Sequence, residues 1–89
     1  MKRVFSFYAD AGHGWLRVQK SILAELDIAE KISSFSYQRG DYAYLEEDVD
    51  LSLFLKAMRD RGIEPEFREY HSEYSRIRSF DHYRYKLPL

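Results

Sequence analysis

The chain has 89 residues, a formal net charge of −1 and no cysteine. This length predicts one small domain over residues 1–89, and the lack of cysteine excludes disulfides and thiolate chemistry. The near-neutral charge excludes a strongly basic nucleic-acid binder, whereas a composition that is 45% hydrophobic and 17% aromatic supports a folded core.

The chain begins with two predicted strands. Apolar residues on both faces of Arg3–Ala9 predict a strand in the interior of a sheet. Residues Asp10–Gly14 form a loop to a second strand, Trp15–Val18, and so short a loop predicts antiparallel pairing. Gln19–Leu26 is predicted to be a short helix, and Ile28–Ile32 a further helical turn.

A β-hairpin is predicted next. Phe35 and Tyr37 alternate with polar residues, and a second alternating run, Tyr42–Leu45, follows the tripeptide Arg39-Gly40-Asp41. Gly40 supplies the positive φ that a tight turn requires. The tripeptide also matches the integrin-recognition motif, but the demands of the turn explain it.

An amphipathic helix is predicted to follow the hairpin. Asp48 or Asp50 is expected to cap its first free N–H groups, and Gly62 is expected to end it in the left-handed conformation. The spacing of apolar residues predicts one buried stripe. This stripe consists of Leu51, Phe54, Leu55 and Met58, widened by Val49, Leu53 and Ala57.

The last third of the chain predicts two more strands. Ile63–Tyr70 is the first, with Pro65 at its start or at a sheet edge, and a crossover would make it parallel to an earlier strand. Ile77–Tyr83 is predicted to be a last edge strand, and residues 84–89 are expected to fray. The order ββαββαβ predicts an α+β fold, an antiparallel or mixed sheet of about four to six strands with two helices on one face.

The loop around Asp10 is one candidate site. A carboxylate at Asp10 that orients the imidazole of His13 would suit acid–base chemistry, and Tyr8 and Trp15 could stack on a planar ligand. No Ser or Cys nucleophile lies nearby, and the glycines match neither a dinucleotide fingerprint nor a phosphate-binding loop. The alternative is a tight turn in which Asp10 and His13 satisfy backbone groups.

A metal site is the second candidate. His13, His71 and His82 could converge with carboxylates such as Asp10 and Asp81. No metal-ligand spacing supports this arrangement, so neither a metal nor another cofactor is expected.

A surface rich in tyrosine and arginine is the third candidate. Such residues are enriched at protein–protein hot spots, and they also suit single-stranded nucleic acid. The alternative is an edge strand protected by charge. The candidate residues are Tyr70, Arg76, Arg78, Tyr83 and Arg84 near the end of the chain, with Tyr42 and Tyr44 on the hairpin.

Two segments resemble a family of small proteins encoded by bacteriophages and bacterial mobile elements. They are GHGWLRV, residues 12–18, and SFSYQRGDYAYLEED, residues 34–48, and the resemblance extends from about Phe5 to about Phe80. Gln19 departs from the proline associated with that position. The resemblance implies a phage or mobile-element context but no catalytic residues.

The function expected from the sequence is therefore non-enzymatic. The first hypothesis is an accessory protein that binds a protein partner from host or phage, with inhibition of a host defence system as one such role. The alternatives are binding of nucleic acid through the C-terminal segment, and a small ligand-binding or catalytic domain at the Asp10–Trp15 loop. A cytoplasmic protein with no membrane partner is expected, and edge strands would allow homodimerisation.

Overall fold

The described part of the chain, residues 2–85 of a computed structural model, forms a mixed sheet of six strands with two α-helices. The predicted α+β fold is confirmed. The strands are β1 (Lys2–Ala9), β2 (Gly14–Gln19), β3 (Tyr37–Arg39), β4 (Tyr42–Glu46), β5 (Glu64–His71) and β6 (Asp81–His82). The helices are α1 (Lys20–Glu25) and α2 (Leu51–Asp60), and 3₁₀ turns lie at Ala29–Lys31 and Arg76–Ser79.

The strand order across the sheet is β5-β1-β2-β4-β3-β6. β1 pairs antiparallel with β2, as the sequence predicted, and parallel with β5, and the remaining pairs are antiparallel. The sequence suggested a parallel pair for β5 without identifying its partner. β1 therefore lies in the interior, which agrees with its apolar residues on both faces. β5 forms an outer edge of the sheet, which is a position where a proline such as Pro65 is tolerated.

The hydrophobic core lies on one face of the sheet. Strand alternation turns Phe5, Phe7, Leu16, Val18, Ala43 and Leu45 to this face, where residues of both helices cover them. The ring of Phe54 in α2 meets Phe5 edge to face, with 5.2 Å between the ring centroids. The opposite face carries no helix among the described residues and is called the open face below.

The hairpin turn and the end of α2 follow the sequence prediction. Gly40 has φ +57° between paired residues Arg39 and Tyr42, and Gly62 has φ +73° just beyond α2. Both values lie in the left-handed region that glycine adopts without strain. Local turn chemistry therefore determined these two features.

The predicted capping of α2 is wrong in its detail. Asp50 occupies the N-cap position, but its side chain accepts no hydrogen bond from the helix. Its carboxylate instead accepts from the hydroxyls of Ser33 and Ser36 at 2.7 and 2.5 Å, and from the Ser33 N–H. Ser36 is buried and accepts the N–H of Glu46. This buried cluster joins three separate segments. The sequence does not show that serine hydroxyls from a distant segment take the Asp50 carboxylate in place of the first N–H groups of α2.

Three further expectations about secondary structure are corrected. Phe35 precedes β3 in a turn and is 67% exposed, because the Ser36 N–H bonds back to Ser33. Val49 is exposed and does not extend the buried stripe of α2. The first part of the predicted strand 77–83 is a 3₁₀ turn, because the Ser75 hydroxyl accepts the N–H of Ile77, and only Asp81–His82 forms the expected edge strand. Of the expected fraying segment, residues 86–89 lie outside the described residues.

Candidate functional site

The centre of the open face carries tyrosine and arginine side chains. Alternation in β1, β2 and β4 places Tyr8, Arg17 and Tyr44 on the face opposite the core. Arg17 and Tyr44 are direct cross-strand partners. Tyr8 stacks on its partner Tyr70 in β5, with 5.3 Å between the ring centroids. These side chains form a floor that lacks the helices covering the other face.

The segment Ser72–Phe80 folds over one end of this floor. The Ser72 N–H donates to the Ala9 carbonyl at 3.0 Å, and the Ser75 N–H donates to the Asp10 carboxylate at 3.0 Å. Ile77 is 3% exposed and anchors the segment. The segment therefore forms a wall beside the open face.

The floor and the wall enclose an open groove of about 840 Å³. Its described lining contains three arginines, four aromatic side chains and no carboxylate. The lining consists of Tyr8, Arg17, Arg39, Tyr44, Ser72, Tyr74, Ser75, Arg76, Ile77 and Phe80. A concave surface with uncompensated cations and aromatic rings is suited to an anionic ligand that also has planar groups.

Arg17 holds the central position in this groove. Its guanidinium carbon lies 3.8 Å from the centroid of the Tyr42 ring, a close cation–π contact. Its Nε atom is buried and has no hydrogen-bond acceptor in the described residues. A hydrogen bond with Gln19, followed by that with Arg17, lowers the pKa of the Tyr42 phenol, whereas burial raises the pKa of Tyr44.

A second, smaller groove of about 310 Å³ also contacts Arg17. It is lined by Gln19 and Tyr42 of the open face and also by Arg3, which alternation in β1 places on the same side as Phe5. The two grooves have Arg17 in common.

A buried ion pair ties the wall to the loop between β1 and β2. The Asp10 side chain is 1% exposed and binds the Arg78 guanidinium through two contacts, of 2.6 and 2.7 Å. Its oxygens also accept the N–H groups of Gly12, His13 and Ser75. The Arg78 guanidinium lies over the rings of Trp15 and Tyr74, at 5.4 and 5.3 Å. Asp10 is therefore a structural clamp.

The predicted contact between the Asp10 carboxylate and the His13 imidazole is wrong. Asp10 accepts the backbone N–H of His13, whereas Nδ1 of the imidazole lies 3.4 Å from Oε1 of Glu46. Arg78, 68 residues away in the chain, takes the carboxylate instead. The alternative, a turn in which Asp10 and His13 satisfy backbone groups, is confirmed for Asp10 but not for His13, whose ring faces Glu46.

The pH dependence of folding is expected to reflect this clamp. The hydrogen bond with Arg78 holds the pKa of the Asp10 carboxyl well below its ordinary value of 3.8, although burial opposes it. Since the unfolded chain takes up the proton first, the contribution of Asp10 is complete above about pH 5 and declines toward about pH 2. The difference in melting temperature between wild type and Asp10→Asn should therefore shrink over this range in circular dichroism. A constant difference would contradict this.

The other predicted site residues are of three kinds: buried residues, exposed residues outside the grooves, and residues that line a groove. Trp15 and Tyr83 are 2% and 4% exposed, and the Tyr83 hydroxyl donates to the Ala29 carbonyl at 2.6 Å. Arg84 is exposed, and its backbone N–H donates to Gln38. Of the predicted set, Tyr8, Tyr44 and Arg76 line the larger groove, and Tyr42 lines the smaller one.

The three histidines do not meet. His82 stacks on Tyr37 at 4.9 Å and bonds to the Ser34 carbonyl, and His71 is exposed at the end of β5. Only His13 has carboxylates within ligand distance in residues 2–85, and these are Glu46 and Asp48. The metal set considered from the sequence is therefore not assembled.

Two arginines of the groove, Arg17 and Arg39, were not predicted as site residues. Arg17 alternates with Leu16 and Val18, which is a local signal that it faces away from the core. Its place beside Tyr44 depends on the register of β2 with β4, which no local pattern specifies. The sequence explained Arg39 by the hairpin turn alone.

No protein-family model, curated protein or solved structure matches this chain. In residues 2–85, no helix has the length and apolar character needed to cross a membrane.

Proposed function

We propose that the protein binds single-stranded nucleic acid in the groove on the open face, without catalysing a reaction. The observation that carries the proposal is the described groove lining, in which three arginines and four aromatic rings occur with no carboxylate. This is the sequence hypothesis of nucleic-acid binding, moved from the C-terminal segment alone to the sheet face and its wall.

The aromatic side chains would stack on bases. Tyr74 on the wall is 75% exposed, and Tyr8 and Tyr44 on the floor are half-buried. Stacking of a base on an aromatic ring contributes about 1–3 kcal/mol and tolerates any base. Bases within a duplex are already stacked on each other, so this surface favours a single strand.

The arginines would hold the phosphates. Arg39 and Arg76 are exposed at the groove, and Arg17 lies at its centre with an unpartnered Nε. Arg3 continues the positive charge into the adjoining groove. Because the groove of about 840 Å³ exceeds the size of one nucleotide, a short strand fits this face better than a free mononucleotide. The net charge of −1 is compatible with this proposal because the basic residues are concentrated locally.

The direct test is a fluorescence anisotropy titration of labelled single-stranded DNA and RNA at several salt concentrations. About three phosphate contacts predict a slope near −2 for the logarithm of the association constant against the logarithm of salt concentration. Unlabelled duplex and mononucleotides are expected to compete weakly. No anisotropy change with any single strand at low salt would overturn the proposal.

A protein partner is the second candidate function. It is supported by the exposed apolar side chains of Phe35 and Val49, 67% and 43% exposed, which line one further cavity. This candidate function is the one that the sequence hypothesis linked to a phage or mobile-element context and to inhibition of a host defence system. A protein captured from a bacterial lysate by wild type but not by Phe35→Ser would support it. The same captured proteins with both baits would contradict it.

A further inference from the structure

A mixed nitrogen and oxygen cluster lies at the edge of the open face, outside the large groove. Nδ1 or Nε2 of His13 and carboxylate oxygens of Glu46 and Asp48 all lie within 4.8 Å of one another. Bonds of about 2.0–2.2 Å would place two ligands of one zinc ion at most about 4.4 Å apart. His13 and Asp48 are exposed, so a small side-chain rotation can bring their ligand atoms within the distance that one zinc ion requires.

Glu46 is already oriented for this role. Its side chain is 8% exposed, and its Oε2 accepts the backbone N–H of Asp48 at 2.8 Å. The other oxygen, Oε1, lies 3.4 Å from Nδ1 of His13. A carboxylate fixed by one hydrogen bond and turned toward an imidazole resembles the supported ligands of metal sites.

An independent feature of the same cavity calls for an acceptor. The cavity, of about 370 Å³, is lined by His13, Glu46 and Asp48 and also by Trp15. Trp15 is 2% exposed, and its Nε1 atom is buried without a hydrogen-bond partner in residues 2–85. An indole N–H can only donate, so Nε1 is a buried donor that lacks an acceptor next to this cluster.

We propose that His13, Glu46 and Asp48 bind a divalent transition-metal ion such as Zn²⁺. One imidazole and two carboxylates form a donor set that such ions accept, and the remaining coordination positions would hold water or a ligand oxygen. Arg78 also lines this cavity, but Asp10 neutralises its charge. The two carboxylates of the cluster therefore face a cavity without an uncompensated cation. This proposal is independent of nucleic-acid binding.

Isothermal titration calorimetry with zinc chloride, on metal-free protein, tests the proposal. Wild type is expected to bind one ion, and His13→Ala and Asp48→Asn should each lower the affinity by at least about tenfold. His71→Ala is the matched control, because it removes another exposed histidine outside the cluster, and it should bind like wild type. Circular dichroism confirms that each variant is folded.

A second readout uses the only tryptophan of the chain. The Trp15 and His13 ring centroids are 5.9 Å apart, so Co²⁺ or Ni²⁺ bound at His13 should quench its fluorescence. Quenching that is abolished in His13→Ala and retained in His71→Ala supports the site. Equal affinity in wild type and His13→Ala, or no binding of any of the three ions, would overturn it.

Discussion

Asp10→Ala is expected to lower the melting temperature by roughly 10 °C or more, because it breaks a buried ion pair. The change leaves the Arg78 guanidinium without its carboxylate between Trp15 and Tyr74. It also removes the acceptor of the Ser75 N–H, which ties the wall of the groove to the sheet. Loss of this tie should weaken nucleic-acid binding too, although Asp10 does not line the groove.

A double-mutant cycle measures the interaction between Asp10 and Arg78 separately from the destabilisation that each substitution causes by itself. Arg78→Met keeps much of the side-chain volume while removing the charge, and the double variant Asp10→Ala/Arg78→Met should be less destabilised than the sum of the two single variants. Calorimetric melting measures all four proteins. A melting temperature for Asp10→Ala within about 2 °C of wild type would contradict the clamp.

The double variant Arg39→Ala/Arg76→Ala is expected to bind single-stranded oligonucleotide roughly 10- to 100-fold more weakly than wild type. Both arginines are exposed, so their removal should leave the fold and the melting temperature nearly unchanged. The variant would also neutralise fewer phosphates. The slope of the logarithm of the association constant against the logarithm of salt concentration should therefore become less negative, by about 0.7 for each phosphate that an arginine no longer neutralises. Anisotropy titration at several salt concentrations measures both effects.

Lys56→Ala/Arg59→Ala is the matched control for this variant. It removes the same charge from α2, where both side chains are exposed and form ion pairs with Asp60 and Glu64. A binding site in the groove predicts wild-type affinity for the control. Equal weakening in the two double variants would show that binding depends only on net charge and would contradict a specific groove.

The elements that could be predicted from the sequence are those determined locally. The hairpin turn at Gly40, the end of α2 near Gly62 and the apolar stripe of α2 all depend on residues within a few positions of one another. One parallel pair for the strand after α2 was suggested as well, because a helix that returns the chain to the sheet makes a crossover, but the sequence did not identify β1 as its partner. The fold class follows from these elements.

The candidate site could be predicted only in part, because its geometry depends on contacts between distant residues. Arg78 takes the carboxylate that His13 was expected to share, and Ser33 and Ser36 take the carboxylate that was expected to cap α2. The register of β2 with β4 sets Arg17 beside Tyr44. No local pattern specifies which distant side chain binds a buried carboxylate, or which strand pairs with β2 and in which register.

Backbone NMR of the ¹⁵N-labelled protein during addition of single-stranded oligonucleotide tests the central claim most directly. Binding in the groove predicts that the largest shift changes occur at Tyr8, Arg17, Tyr44 and the wall segment Ser72–Phe80, while amides of α2 change little. Changes confined to α2, changes spread evenly over the chain, or no change at low salt would contradict a nucleic-acid site on the open face.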